Sequence, residues 1–257
     1  MSEQAHSKPI TPSITAAILV IGDEILSGRT KDKNIGYIAE YLTRIGIDLK
    51  QVRVVPDDEA DIVDALNALR HRFTYVFTTG GIGPTHDDIT ADCVAKAFGV
   101  SIDHDPRAIA MLRERYNPAD LNEARLRMAR IPAGADLIEN PISRAPGFKL
   151  GNVIVMAGVP NIMQAMLDDV APKLETGVKM IAETIDANGM PEGIYAVLLR
   201  EIALAHKDVS IGSYPSFQNG GFRNQIVVRG KDQAAITAAK AAISTALSTL
   251  ESDNIPA

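Results

Sequence analysis

The sequence predicts an α/β fold, a mostly parallel sheet covered by helices and followed by a small α+β domain. Three observations carry this. Strand-like and helix-like segments alternate from Thr15 to about Leu174. The strand-like segments are short and mostly apolar, as strands buried on both faces are. After Glu175 the rhythm changes to helix, strand, strand, helix. The expected divisions are a loose tail over 1–14, an α/β domain over 15–175 and a small α+β domain over 176–257.

In chain order, Thr15 to Ile21 is a continuous apolar strand and Asn34 to Ile45 an amphipathic helix. Asp48 to Val55 reads as a strand, and Glu59 to His71 as a helix whose apolar positions are Ile62, Val63, Leu66 and Leu69. Tyr75 to Thr79 and Thr90 to Phe98 make the next strand and helix. Phe148 to Leu150 and Val153 to Met156 are strands, with a helix from about Ile162 to Leu174. Beyond Glu175, Glu192 to His206 is a helix, Val209 to Phe217 and Gly221 to Arg229 are strands, and Gln233 to Leu250 is an alanine-rich helix. Asn219-Gly-Gly221 reads as the hairpin turn between the two strands. A domain this small is expected to have little core of its own and to gain from docking or from pairing with a second copy.

Composition narrows the function classes. The chain has 257 residues, 46% hydrophobic and 23% charged, which is ordinary globular composition. Runs such as Ala16 to Ile21 and Val153 to Ala157 fall far short of the roughly 20 residues of a membrane span. The start, Met1 to Thr15, lacks the basic and apolar regions of an export signal, and one cysteine, Cys93, permits no internal disulfide. A cytoplasmic location is therefore expected. Net charge is −6, with 19 basic against 24 acidic residues through Glu175 and 7 against 8 after it, so no basic platform for nucleic acid is expected. Arg113, Arg115, Arg125, Arg127 and Arg130 form the local exception, read as solvated helix faces from which one or two reach a ligand phosphate.

In the parallel-sheet architecture, ligands bind beyond the carboxyl ends of the strands, where three polar turns fall: Gly22-Asp23-Glu24, Pro56-Asp57-Asp58 and the Thr79 to Thr90 loop. The third is the richest: Thr78-Thr-Gly-Gly-Ile-Gly-Pro-Thr-His-Asp-Asp-Ile-Thr90 follows a strand directly. Gly80, Gly81 and Gly83 let backbone amides approach an anion, while Asp87 and Asp88 would repel a bare phosphate unless a divalent cation or a proton lay between them. Each turn has a plainer reading. The glycines alone make a tight turn, Asp88 caps the next helix, and Asp57-Asp58 cap the helix after them. Asn140-Pro-Ile-Ser-Arg-Ala-Pro-Gly147 and Ala157-Gly-Val-Pro160 add two further shaped turns.

The order of Ile21-Gly-Asp-Glu-Ile-Leu-Ser-Gly28, Asp32 with Asn34, Val55-Pro-Asp-Asp58, Thr79 to Thr90, Ala145-Pro-Gly-Phe148 and Gly158-Val-Pro160 resembles the molybdopterin-binding domain family of molybdenum-cofactor biosynthesis. The resemblance is closer to the N-terminal region of the competence/damage-inducible protein A family. Ile211-Gly-Ser-Tyr-Pro215 is similar to the KH-like domain that follows it there. By composition alone the basic Gly-x-x-Gly loop of RNA-binding KH modules is missing.

The resemblance implies a three-layer fold and metal-dependent cleavage of nucleotide pyrophosphates such as ADP-ribose or FAD. The alternatives are molybdopterin binding or cofactor assembly without hydrolysis, and a non-catalytic ligand-binding protein. It implies catalytic roles for Asp88 and Asp87, and a divalent metal (Mg²⁺, Mn²⁺, Co²⁺ or Ni²⁺) on Glu24, Asp58 and Asp88. Ligand contacts are implied at Gly22, Asp23, Asn34, Thr79, Gly80, Gly81, Gly83, Pro84, Thr85 and Thr90, and again at Pro146, Gly147, Gly158 and Pro160. A nucleotide or pterin partner and a homo-oligomer, dimer or trimer, are implied, with no nucleic acid and no membrane. The chain departs from the pattern at Ala157 and Ile162, where a proline and a carboxylate are usual, and at Arg144, where a small residue is usual. It also stops before the amidohydrolase domain of longer relatives, so that activity is expected to be absent.

Overall fold

The computed structural model describes residues 13–218 and 221–253. Most of the expected tail, and the first two residues of the expected Asn219-Gly-Gly221 turn, lie outside the described residues. The chain divides into two compact units, Met1–Gly177 and Val178–Ala257.

In the first unit β1 (Thr15–Ile21) leads through α1 (Asp23–Leu26) and α2 (Asn34–Ile45) to β2 (Asp48–Val55). Next come α3 (Glu59–Arg70), β3 (Tyr75–Thr79), α4 (Thr90–Phe98), β4 (Ile102–His104) and α5 (Pro106–Arg113). The unit continues with α6 (Glu123–Arg127), β5 (Arg130–Pro132), β6 (Asp136–Ile138), β7 (Gly147–Leu150), β8 (Val153–Met156) and α7 (Pro160–Val170). Six of the strands form one sheet in the order β2-β1-β3-β8-β7-β6, parallel from β2 through β8 and antiparallel at β7 and β6.

Period-two alternation within β1 feeds two cores at once. Ala17, Leu19 and Ile21 pack with α3, α4 and α5 through residues such as Leu66, Val94 and Leu112. Ala16, Ile18 and Val20 pack with α2 and α7 through Ile38, Leu42, Met163 and Leu167. The result is three layers, with the carboxyl ends of β1, β3 and β8 opening side by side.

Segments the sequence reading left unassigned are β4, β5, β6, α5 and α6. Of these, α5 carried a local signal, since Asp105 caps it by accepting from Arg107 N–H and Pro106 sits in its first turn. The helix expected over 162–174 instead starts at Pro160 and gives way at Ala171–Lys173 to a 3₁₀ turn, where Pro172 cannot continue it.

The second unit is β9 (Ile181–Asp186), α8 (Glu192–Ala205), β10 (Val209–Tyr214), β11 (Phe217–Gln218), β12 (Gly221–Phe222), β13 (Gln225–Gly230) and α9 (Gln233–Asp253). It begins with a strand that the helix-strand-strand-helix expectation omitted. β9 pairs antiparallel with β13, completing a three-stranded sheet β10-β13-β9. The strand expected over 221–229 is broken because Asn224, fully buried, accepts from Ser216 N–H at 3.1 Å and donates to the Met190 carbonyl at 2.9 Å. The unit also has a core of its own, in which Tyr195, Ile226, Val228, Ile236 and Ile243 meet, contrary to the expectation of little core. Among the described residues no helix is long and apolar enough to cross a membrane.

Candidate functional site

At the carboxyl ends of β1, β3 and β8 lies a cleft with a volume of about 670 Å³, within the range of small-molecule sites. One wall is the loop after β3. Gly80 (φ 105) and Gly81 (φ 67) take backbone conformations that other residues rarely adopt, and neither has room for a side chain. A Cβ on Gly80 would lie 2.1 Å from the Ile21 carbonyl oxygen, and one on Gly81 2.2 Å from Thr90 Oγ1. Gly158, after β8, also packs tightly, though less so: a Cβ there would lie 3.3 Å from the Gly80 Cα. The three strand ends are thus drawn together by residues without side chains, and backbone faces the cleft.

Thr90 and Asp88 hold the loop from within. Thr90, fully buried, donates from Oγ1 to the Gly80 carbonyl at 3.0 Å, and its N–H donates to the Gly81 carbonyl at 3.0 Å. Asp88 Oδ2 accepts from Thr85 N–H at 2.8 Å and from Thr85 Oγ1 at 2.5 Å. Asp88 therefore tightens the loop and does not cap α4, whose N-cap is Ile89. Its Oδ1 takes no hydrogen bond among the described residues, and the residue lines the cleft. Arg127 donates to the Asp88 carbonyl at 3.3 Å, supporting the loop from α6.

The acidic turns converge in part. Asp23, Glu24, Asp57 and Asp87 border one depression at the cleft's edge. Asp57 Oδ2 accepts from Asp23 N–H at 3.0 Å. Burial, and then the charges of Asp23, Glu24 and Asp87, push the Asp57 carboxyl above the usual range against the pull of that hydrogen bond. Asp87, exposed, is held below the usual range, first by the Thr85 hydroxyl that it shares with Asp88 and then by backbone hydrogen bonding. Asp58 takes the plainer role: its Oδ1 accepts from Ala60 N–H at 2.9 Å and Asp61 N–H at 3.2 Å, capping α3, and it does not line the cleft. Of the pair, Asp57 is the one that lines the cleft.

Of the other expected contacts, Gly22, Gly83, Pro84 and Pro160 line the main cleft. Asn34 and Thr79 line a side cavity that adjoins it. Pro146 borders a small cavity with Arg127 and Arg130 that shares Gly81, Ile82, Gly83, Asp88 and Met128 with the cleft. Thr85 and Thr90 act within the loop. Gly147 serves the sheet, since a Cβ there would lie 2.4 Å from the Val155 carbonyl oxygen. Arg144, held at φ 61, bonds Glu114 at 3.2 Å and is not among the residues lining the cleft.

The opposite wall went largely unread in the sequence: Tyr116, Met128, Asn140, Ser143 and Met166. Arg125, one of the five clustered arginines, reaches this cleft with its guanidinium 4.3 Å from the centre of the Tyr116 ring. Arg130 is instead paired with Asp92 at 2.6 Å, and Arg115 with the Ile142 carbonyl at 2.6 Å. Asn140 was quoted for its turn. Fully buried, it spends both ends of its amide on Ile142, Ser143 and Ala145, which shapes the wall.

Residues 17–176 match the family described as "Probable molybdopterin binding domain", and residues 179–253 match "FAD synthase, middle domain". A protein of Pyrobaculum aerophilum is 36% identical over 210 residues, 78% of this chain and 79% of its own length. One of Archaeoglobus fulgidus is 33% identical over 202 residues, 77% and 84% of the two chains. Among solved structures, the protein CinA with unknown function from Thermoplasma acidophilum aligns at 37% identity with a TM-score of 0.60, covering 63% of this chain and 98% of that one.

Proposed function

The chain belongs to the molybdopterin-binding domain family, and from that premise we propose that it is a metal-dependent hydrolase of nucleotide pyrophosphates of the ADP-ribose or FAD kind. One observation carries the reading: a glycine loop shares its cleft with Glu24, Asp57 and Asp87, where burial first and the neighbouring negative charges after it raise the proton affinity of Asp57. Such a field opposes a pyrophosphate unless a cation accompanies it. The likeness of the second unit to the FAD synthase middle domain adds support for a dinucleotide.

Among the described residues no three acidic, histidine or cysteine side chains stand close enough to hold an ion alone. This suits a cation such as Mg²⁺, which takes one or two carboxylates and completes its shell with substrate phosphate oxygens and water. Glu24 and Asp87 are the residues that would hold it, with Asp88 beside them; Asp58 is committed to α3, and Asp57 is left for the proton. The metal, when bound, neutralises charge on the phosphoryl oxygens.

The remaining work falls to the chain. Amides of Gly81 to Gly83 hold a phosphate, the Gly80 N–H being given to the Met156 carbonyl, and Arg125 meets the second. Asp88, steadied by Thr85, and Asp87 orient a water. The water oxygen bonds to phosphorus as the bond from phosphorus to the bridging oxygen breaks. The proton of the water passes to Asp57, whose raised affinity suits a base.

A second reading, molybdopterin binding without hydrolysis, is favoured by the apolar side of the cleft, where Ile82, Tyr116, Met128 and Ile162 suit a flat ring. The test is incubation with ADP-ribose, FAD, NAD and ATP in the presence of Mg²⁺, Mn²⁺, Co²⁺ or Ni²⁺, with products separated by chromatography. Release of AMP from ADP-ribose or FAD, lost in EDTA and restored by metal, supports the hydrolase. No product with any metal, together with thermal stabilisation by molybdopterin, supports the second reading.

A further inference from the structure

We propose that the edge of β10 and the side of α8 next to it form one surface that pairs with the same surface of a second copy of this chain. β10 lies at the edge of the sheet β10-β13-β9, so alternate residues turn their N–H and C=O groups away from β13, toward no strand among the described residues. Its register with β13 runs unbroken from Val209 with Gly230 to Tyr214 with Gln225, and no bulge bends the edge away.

Proteins ordinarily guard such an edge with charge or proline, which discourages another strand from adding to it. Among the described residues, every other edge strand of three residues or more follows that rule: Lys50 stands on β2, Asp103 on β4, Arg130 on β5, Asp136 on β6 and Glu183 on β9. β10 is Val209-Ser-Ile-Gly-Ser-Tyr214 and carries no guard.

The helix beside it is apolar nearly all round. Of the 14 residues of α8 only Tyr195 is buried, while Val197 is 67% and Leu204 62% exposed. A helix of that character belongs inside an assembly. Between helix and strand runs a groove of about 420 Å³, bordered by Gly193, Ala196, Arg200 and Ala203 of α8 and by Ile211 and Ser213 of β10. Val197 and Leu204, seven residues apart, lie on one stripe of the helix next to that side. Strand edge, groove and exposed apolar side chains are therefore contiguous.

A second copy is the occupant because the surface complements itself. Antiparallel pairing of β10 with its own copy about a two-fold axis near Ile211 and Gly212 sets Asp208 opposite Pro215 and Lys207 opposite Ser216, so no like charges meet across the strands. The pairing doubles the three-stranded sheet and brings the two α8 helices side by side, where Gly193, Ala196 and Ala203 admit a close approach. The Glu192 end of one helix then nears the Arg200 half of the other, opposite in sign. An extended foreign peptide would fill the strand edge and leave Val197 and Leu204 in water.

The test is light scattering of the full chain over a dilution series, with hydrogen exchange of the β10 amides read alongside. The parent should form particles of an even number of chains, and all the β10 amides should exchange slowly, since pairing covers both edges of the strand. Val197→Glu combined with Leu204→Glu changes two side chains that are mostly in water in a single copy, so the fold should persist with Tm no lower than that of the separated parent chain. The double variant should halve the particle mass, whatever assembly the first unit makes, and alternate β10 amides should exchange about tenfold faster or more. Ala182→Lys, exposed on the already charged edge strand β9, should leave both readings unchanged.

An odd number of chains per particle, rapid exchange of alternate β10 amides in the concentrated parent, or a folded double variant of unchanged mass overturns the inference. Should the double variant fail to fold, the parent's mass and exchange pattern decide alone.

Discussion

The Thr90 hydroxyl donates to the Gly80 carbonyl at 3.0 Å, ten residues back, and so closes the glycine loop onto the first turn of α4. Because Thr90 is fully buried, no water replaces that bond when it is lost. Thr90→Val keeps the shape of the side chain and leaves the carbonyl unpaired. It is expected to cost about 1–3 kcal/mol in urea unfolding. A loss no larger than that of Thr78→Val, whose hydroxyl has no partner to lose, would show that the bond does not hold the loop.

Gly81→Ala places a Cβ 2.2 Å from that same Thr90 oxygen at a φ of 67°. Backbone strain of this kind costs on the order of 1–3 kcal/mol, and the side chain must also push Thr90 aside. The double variant Gly81→Ala with Thr90→Ala should relieve the clash and keep the strain. Its unfolding free energy should therefore fall short of the parent by less than the sum of the two single losses. Strict additivity would count against the contact.

Asp88→Asn keeps an oxygen able to accept from Thr85 N–H, so the loop should persist. The change removes the negative charge, and hydrolysis, once detected, should fall by about a hundredfold or more. Full activity in a folded variant would remove Asp88 from the chemistry. His86, whose side chain is 98% exposed, should matter little: His86→Ala is expected to cost less than about tenfold.

Asp57 gives a pH test. A carboxyl whose pKa is raised on folding contributes stability that is complete below its unfolded pKa and is lost as pH rises through the raised one. Asp57→Asn abolishes that loss and keeps an acceptor for Asp23 N–H. The variant should have the higher Tm near neutral pH, and the gap should close as pH falls toward about 4, the ordinary carboxylate range. A gap that widens on acidification would mean that Asp57 is stabilised as the anion.

Cys93 is fully buried on α4, and burial pushes its thiol up to about 12. In the folded protein a thiol reagent at about pH 8 should not label it, and denaturant should expose one equivalent. Rapid labelling of the native protein would show that α4 opens locally.

Much of the fold can be read along the chain because its cause is local. The alternation of apolar runs, the glycines after Phe77 and the Asp-Pro pair at α5 all act within a few residues. The sites of Gly80, Gly81, Asp87 and Asp88 were legible for the same reason. The strand β9 was not, because its six residues alternate weakly and owe their conformation to pairing with β13, some forty positions away in the chain.

Asp57 and Asp58 mark the limit. Adjacent and alike in sequence, they separate in the structure: one caps α3 and the other stands among acidic neighbours drawn from two other strand ends. Likewise Tyr116, Met128 and Ser143 come from a stretch without helical or strand period and form a wall only because β7 and β6 fold back antiparallel beside β8. The sequence by itself determined the layers, the order of the turns and the glycine loop, since these follow from spacing and backbone freedom. Which carboxylates meet, and which buried oxygens remain without a partner, was decided by tertiary structure, because the parallel register sets which strand ends lie side by side.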